Sequence, residues 1–96
     1  MTLTLTPRAS RDIEEIQNYI AAENPASARK VALQLFKALD LIEAKPMIGR
    51  PTQHTRRREW SVPSLPYIIP YRVAGKDVII LRVFHTSRLR PKNWSQ

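Results

Sequence analysis

The residues with the clearest chemical potential lie in the stretch YIIPYRVAGKDVIILRVFHTSR, residues 67–88. An apolar run there contains one cation, Arg82, and ends at His85, with Arg88 and Arg90 close behind. Histidine suits general acid–base chemistry at neutral pH, and the forked guanidinium of arginine binds phosphates and carboxylates. The group therefore predicts one of two activities. Either His85 moves protons in RNA cleavage while the arginines hold the phosphate, or the group binds an anionic partner.

RNA cleavage by the 2′-hydroxyl needs a base, an acid for the leaving oxygen and cations on the phosphate. The acid and base would have to come from His85, His54, Glu59 or Tyr67, and no local spacing ties these residues together. A lone histidine that closes a strand is more often a capping or packing residue. For Arg82 the structural alternative is a side chain that covers apolar surface and keeps its guanidinium in water.

A second basic segment, RRREWSV at residues 56–62, combines cations with an aromatic ring. As a strand it fits a charged sheet edge, where cations discourage pairing with foreign strands. The functional alternative is a basic surface with Trp60 as a stacking platform for a nucleic acid, or a surface for an acidic peptide. The residues predicted to bind a partner or target are Arg50, Arg58, Trp60, Arg82, His85, Arg88 and Arg90.

A β-hairpin is expected to position the C-terminal group. The turn AGKD at residues 74–77 lies between two runs of β-branched and aromatic residues, and its glycine can take a positive φ. With the turn centred there, the numbers of paired residues sum to 151. This register places Arg82 on the face of Tyr67 and His85 on the opposite face. Pro70 cannot donate to the ladder, so its nitrogen points away from the partner strand or it lies at a bulge that changes this register.

Two helices are expected before this hairpin. Thr6-Pro7 and Asn24-Pro25 each pair an N-cap side chain with a proline suited to the first helical turn. Asp12 is predicted to face away from the apolar stripe of the first helix. The predicted stripes are Ala9, Ile13, Ile16 and Ile20 in the first helix, and Ala28, Val31, Ala32, Leu35, Leu39 and Ile42 in the second.

These elements predict an α+β fold in the order β-α-α-β-β-β, with a helical hairpin packed on one face of a small, mainly antiparallel sheet. The alternation at residues 2–6 predicts an edge strand beside the final strand, and the last three strands form a meander. Pro and Gly signals predict a loop over residues 45–55. Leu33, Phe36 and Leu41 widen the apolar face of the second helix and are expected to pack in the core.

Composition limits the partners. The 96 residues are expected to form one domain, 1–96, and sixteen Lys and Arg against eight Asp and Glu give a formal net charge of +8. This charge favours a polyanion or an acidic protein as the partner. Without cysteine, and with only two separated histidines, we expect no metal and no cofactor. No apolar leader or membrane-length segment is present in the sequence, so we expect a cytoplasmic protein without a membrane partner.

Four pieces of the sequence resemble a known family: NPASARK at residues 24–30, KPMIGRP at 45–51, YIIPYRV at 67–73 and VIILRVFHTSR at 78–88. Their order and spacing resemble the ParE branch of the RelE/ParE toxin superfamily along nearly the whole chain. The resemblance implies the toxin half of a type II toxin–antitoxin pair, held inactive by a ParD-like antitoxin encoded beside it. An acidic antitoxin tail that folds on binding agrees in sign with the charge of +8.

The same resemblance separates two toxin activities. RelE-type members cleave ribosome-bound mRNA and commonly carry a tyrosine shortly after the final strand, but the corresponding stretch here, HTSRLRPKNW, has none. This departure favours the ParE activity, which is inhibition of DNA gyrase by binding. The alternative is a RelE-like, metal-independent endoribonuclease with His85, Arg82 and Arg88 as its catalytic residues. A third interpretation, which the charge alone allows, is a basic nucleic-acid-binding domain without toxic action, so direct nucleic-acid binding stays open.

Overall fold

The computed structural model describes residues 2–54 and 56–87. Helices and strands within these ranges follow the predicted order, with two short strands added. The elements are β1 (Thr2–Leu5), α1 (Pro7–Ala21), α2 (Pro25–Ala44), β2 (Arg50–Pro51), β3 (Arg57–Ser61), β4 (Tyr67–Ala74), β5 (Asp77–Ile80) and β6 (Phe84–His85).

Both helices begin where the sequence predicts. The Thr6 hydroxyl accepts a hydrogen bond from the amide of Ala9 at 3.0 Å, and the Asn24 side chain accepts one from the amide of Ser27 at 3.1 Å. Each cap supplies an acceptor to a helix-terminal N–H that has no partner within the helix. The Thr6 hydroxyl also donates to the carbonyl of Leu81 at 3.0 Å, which ties the start of α1 to the sheet. Within the described ranges, neither helix has the length and apolarity needed to span a membrane.

The sheet has the strand order β1-β5-β4-β3-β2. The short strand β6 pairs with Tyr67 and Ile68 at the start of β4, whereas β5 pairs with residues 71–74. Only the β1–β5 pairing is parallel among the described strands, so the sheet is mixed but mostly antiparallel. The predicted meander is confirmed as β3-β4-β5, and β1 pairs with β5, which is the first part of the predicted final strand. The prediction of an uninterrupted loop over residues 45–55 is wrong, because Arg50 and Pro51 pair with Glu59 and Arg58 as β2. A strand of two residues is too short to show any alternation in sequence.

The register of the hairpin changes partway along β4. Paired numbers sum to 151 throughout the β4–β5 pairing, as predicted, but Tyr67 pairs with His85, where the sum is 152. One extra residue therefore lies within residues 81–83, which is a β-bulge. The amide of Leu81 still donates to the carbonyl of Pro70 at 2.9 Å. The bulge thus lies opposite the proline that had made the register uncertain.

After the bulge, each side chain lies on the face of the sheet opposite to the one predicted for it. His85 lies opposite Tyr67, on the face that the helices cover, and Val83 is buried in the core. The prediction that His85 occupies the opposite face is therefore wrong, because a one-residue shift turns every later side chain over.

The core fills the space between the helical hairpin and the sheet. Leu33 and Phe36 are exposed, so the prediction that they pack in the core is wrong. They lie outside the stripe of α2 that meets the sheet. The buried core residues are Ala9, Ile13, Leu35, Ala38, Leu39, Ile42, Val62, Tyr67, Ile69, Tyr71, Val78, Ile80 and Val83.

Candidate functional site

Arg82 lies in the bulge and is held by Asp12 of α1. Its Nε donates to Asp12 Oδ2 at 2.7 Å and its Nη2 donates to Oδ1 at 3.2 Å, while the amide of Val83 also donates to Oδ2 at 3.0 Å. The Asp12 side chain is 5% exposed and that of Arg82 is 17% exposed. The prediction that Asp12 faces solvent is therefore wrong. A carboxylate of the same chain already fills the guanidinium fork. The role of Arg82 in binding a partner stays a prediction.

His85 borders a cleft of about 360 Å³ between α1 and β6. Its Nδ1 accepts a hydrogen bond from the amide of Ser87 at 3.1 Å, and the Ser87 hydroxyl lies 2.6 Å from the same nitrogen. The ring of Tyr67 stands perpendicular to the imidazole at 5.5 Å. The charged side chains among the described lining residues are the carboxylates Asp12 and Glu15, with no lysine or arginine. Within the described ranges, the cleft gives His85 no cation that could hold a phosphate.

Arg50 and Arg58 lie at the other predicted basic region, where β2 pairs with β3. Arg50 Nη2 donates to Glu59 Oε1 at 2.7 Å, and Glu59 is buried while Arg50 is mostly exposed. Arg58 Nη1 donates to the carbonyl of Met47 at 3.2 Å and to that of Gly49 at 2.7 Å. Both arginines therefore hold the segment between α2 and β3, and the Arg50 side chain as a whole stays mostly exposed.

Trp60 does not stand on an open basic surface. It is half-buried against the core and borders a shallow cleft beside α2. Its indole N–H is buried and has no hydrogen-bond partner among the described residues. Arg88 and Arg90 lie outside the described residues. The other predicted binding residues fall into two groups, one where β2 pairs with β3 and one around the bulge. No cluster of three His, Cys, Asp or Glu in the described ranges could hold a metal ion.

Tyr71 organises the segment before β2, a role that the sequence analysis missed. Its hydroxyl accepts a hydrogen bond from the amide of Gly49 at 2.8 Å and donates to the carbonyl of Pro46 at 2.6 Å. The side chain is fully buried. A buried tyrosine hydroxyl usually finds a partner, so the inward position of Tyr71 in the predicted strand was the available signal.

The Tyr71 hydroxyl gives a testable pH dependence. Burial raises its pKa above the ordinary value of 10.0, although the hydrogen bond from Gly49 and the charge of Arg58 act in the opposite direction. The unfolded chain therefore loses this proton at a lower pH than the folded chain. The stability that the neutral hydroxyl contributes is complete below pH 10 and is lost as pH rises through the folded-state pKa.

We expect Tyr71→Phe to lower the free energy of unfolding by about 1 to 3 kcal/mol near neutral pH, because it leaves a buried donor and acceptor unpaired. The deficit should shrink above pH 10 as the wild type loses its advantage. Urea unfolding of both proteins across this range measures the effect. The exposed Tyr19 provides the control, because Tyr19→Phe should leave a small difference at every pH. A Tyr71→Phe deficit that stays constant through the alkaline range would contradict the prediction.

Comparison with known proteins finds relatives along nearly the whole chain. The model of the family described as "ParE toxin of type II toxin-antitoxin system, parDE" matches residues 3–90. The protein Y4kP of Sinorhizobium fredii is 38% identical over 87 residues, which cover 91% of this chain and 90% of Y4kP. Toxin RelE2 of Caulobacter vibrioides is 39% identical over 84 residues, which cover 88% of this chain and 93% of RelE2.

A solved structure agrees with these sequence matches. A chain from the chromosomal ParDE toxin–antitoxin system of P. aeruginosa superposes with a TM-score of 0.79 at 27% identity. The superposition covers 91% of this chain and 97% of the matched chain. It confirms the predicted α+β fold, with two helices on a mostly antiparallel sheet. Together with the family match over residues 3–90, it shows that this chain belongs to the ParE toxin family of type II toxin–antitoxin systems.

Proposed function

We propose that this chain inhibits DNA gyrase in the cytoplasm and that a ParD-like antitoxin neutralises it by binding. The observation that carries the proposal is the ParE family match, which extends over residues 3–90. The similar chain in the ParDE structure adds support for an antitoxin partner. Inhibition would follow from binding to the target enzyme, so the toxin itself makes and breaks no bond. The whole chain, 1–96, would act as one domain.

The charge of the chain supports an acidic antitoxin. A formal net charge of +8 attracts an acidic segment over a distance of several ångströms and favours rapid association. Arg50 is the most accessible of the described cations predicted to bind it, because its side chain is 71% exposed even though one nitrogen is paired with Glu59. Arg58, Trp60, Arg82 and His85 complete the proposed surface in the described ranges, and Arg88 and Arg90 are proposed from the sequence alone.

The alternative activity is a RelE-like endoribonuclease, which the name of the RelE2 relative favours. Two features weigh against it. The carboxylate of Asp12 occupies the fork of Arg82, and the described part of the His85 cleft carries acids instead of cations. None of the described residues that line this cleft is an arginine or lysine that could hold a phosphate near His85.

The test that separates the activities uses the purified chain in a gyrase supercoiling assay, together with its expression alone in growing cells. We expect loss of supercoiling, broken DNA and filamentous cells. Prompt arrest of protein synthesis with cut mRNA and unaffected gyrase would contradict the proposal and establish the endoribonuclease. Catalytically competent gyrase without added toxin, and with heat-denatured toxin, provides the controls.

A variant of His85 distinguishes the endoribonuclease from the gyrase inhibitor in a second way. Removing a general acid or base slows a reaction by roughly 10²- to 10⁴-fold, so His85→Ala would abolish the toxicity of a nuclease. As one contact in a binding surface, the same change is expected to alter the inhibitory concentration by less than about tenfold. Titration of the variant in the supercoiling assay measures this, and its thermal unfolding shows whether the fold is intact. Complete loss of toxicity in a folded His85→Ala protein would overturn the binding mechanism.

A further inference from the structure

A groove of about 380 Å³ lies at the loop that joins β2 to β3, and we call it the β2–β3 groove. One part of its lining is apolar and consists of Met47, Pro51 and Val73. Met47 is 65% exposed, so its side chain can be reached from solvent. The apolar part of this groove is therefore available to a side chain from another molecule.

The other part of the β2–β3 groove is cationic. His54, Arg56, Arg57 and Arg58 line it, and no carboxylate does so among the described residues. Arg58 is already bonded to main-chain carbonyls on the α2 side of the groove. The charges of Arg56 and Arg57 have no salt-bridge partner in the described part of the chain.

Arg57 is the residue that most specifically indicates a ligand in this groove. Its Nη1 is buried and has no hydrogen-bond partner among the described residues. A buried cationic N–H without an acceptor is unfavourable, so a ligand that draws the Arg57 side chain toward the groove and supplies an acceptor would restore the missing interaction. A carboxylate suits this role, because its two oxygens match the fork of a guanidinium.

Main-chain hydrogen bonds position Arg56 and Arg57. The amide of Thr52 donates to the carbonyl of Arg57 at 3.1 Å, and the amide of Arg57 donates to the carbonyl of His54 at 3.2 Å. Arg56 has a φ of 70°, in the left-handed region, and its carbonyl accepts from the amide of Val73 at 2.9 Å. A non-glycine residue in this conformation is unfavourable by itself, and such strain is common at binding sites.

We propose that the β2–β3 groove binds an acidic peptide segment that also carries an apolar side chain. A carboxylate pairs with Arg57 and Arg56, and the apolar side chain packs against Met47. The inference rests on the proposed neutralisation by an antitoxin, whose segment is the occupant. The apolar half of the lining favours a peptide over a nucleic acid. The described lining also contains no aromatic ring besides the imidazole of His54 on which a base could stack.

The probes are two blocked peptides, Ac-LEELLEEL-NH2 and Ac-LQQLLQQL-NH2, titrated into the full-length, isotope-labelled chain and followed by NMR. We expect the glutamate peptide to bind and to shift the amide signals of residues 52–54 and 56–58 and the guanidinium signal of Arg57. The glutamine peptide should bind at least roughly tenfold more weakly, because it lacks the charged acceptors. Equal binding of the two peptides, or shifts confined to other parts of the chain, would overturn the proposal. This comparison needs no variant, so it does not depend on the folding of one.

A pair of double variants tests the residues. Arg56→Gln with Arg57→Gln should weaken binding of the glutamate peptide by roughly tenfold or more. The control, Arg29→Gln with Lys30→Gln, removes the same charge from exposed positions of α2 and should weaken binding by less than about twofold. Equal weakening by both double variants would show that only net charge matters and would overturn the site.

A competing nucleic acid and the gyrase assay complete the test of the β2–β3 groove. A single-stranded RNA of eight nucleotides that binds the same groove more tightly than the glutamate peptide would also overturn the proposal. If wild-type toxin inhibits gyrase while the peptide fails to bind, the site is wrong and the proposed target stands. If the peptide binds the groove but supercoiling is unaffected, the proposed target is wrong and the site stands.

Discussion

Asp12→Ala is expected to lower the free energy of unfolding by about 3 to 5 kcal/mol, the usual cost of removing one partner from a buried ion pair. The change leaves the guanidinium of Arg82 and the amide of Val83 without their acceptor. Since Arg82 is only 17% exposed, water can replace the carboxylate poorly. A domain of this size has a total stability of about 5 to 15 kcal/mol, so the variant should be close to unfolding at physiological temperature.

Chemical denaturation of the wild type and the variant measures the effect. Arg8→Ala is the matched control, because Arg8 contacts the same carboxylate at 3.5 Å but is 49% exposed. An exposed pair of this kind contributes less than about 1 kcal/mol. If Asp12→Ala proved no more harmful than Arg8→Ala, the ion pair with Arg82 would not hold α1 to the sheet.

Thr6 and Asp12 show which contacts could be predicted from the sequence, because one has a partner nearby in the chain and the other has a distant one. The N-cap of Thr6 depends on an amide three residues away, so a local pattern predicts it. The partner of Asp12 is 70 residues away in the chain, and helical periodicity alone placed this carboxylate on the solvent side. The cost of an unpaired buried cation predicts a carboxylate, a carbonyl or solvent beside Arg82, but no local pattern identifies Asp12 as that partner.

In the hairpin, too, the local features could be predicted from the sequence and the feature that depends on packing could not. The turn around Gly75 gave the correct register for the β4–β5 pairing, because turn chemistry and alternation are local. Pro70 indicated that a bulge was one of two solutions, but the choice depends on how Val83 and the residues after it pack under α1. The missed bulge also made the predicted site wrong, because His85 follows the bulge and therefore lies on the other face of the sheet.

The candidate binding surface was the least predictable part. Sequence alone grouped the arginines by charge, whereas their accessibility depends on which acid or carbonyl each one meets. Arg82 meets Asp12 and Arg58 meets main-chain carbonyls, but Arg57 has a buried nitrogen with no described partner. Neighbouring arginines of one run, RRR, thus differ in whether their hydrogen bonds are satisfied. Only the folded arrangement distinguishes them.

Gly49→Ala is expected to lower the free energy of unfolding by about 2 to 4 kcal/mol, through overpacking and the loss of a buried hydrogen bond. A Cβ at this position would lie 2.5 Å from the hydroxyl oxygen of Tyr71, 2.7 Å from its Cε1 and 2.9 Å from the carbonyl oxygen of Glu59. Two of these atoms belong to a fully buried side chain and the third to a paired strand, so none can move freely. Thermal and urea unfolding measure the loss.

Gly75→Ala provides the contrasting control, because its Cβ would meet nothing within 4 Å and only its φ of 61° opposes the change. We expect it to cost about 1 kcal/mol, from the left-handed backbone alone. A double-mutant cycle with Tyr71→Phe then identifies the cause at Gly49. Both changes break the same bond between the Gly49 amide and the Tyr71 hydroxyl, so their effects should add to less than the sum of the single losses. Strict additivity would mean that the cost of Gly49→Ala does not arise through the Tyr71 hydroxyl.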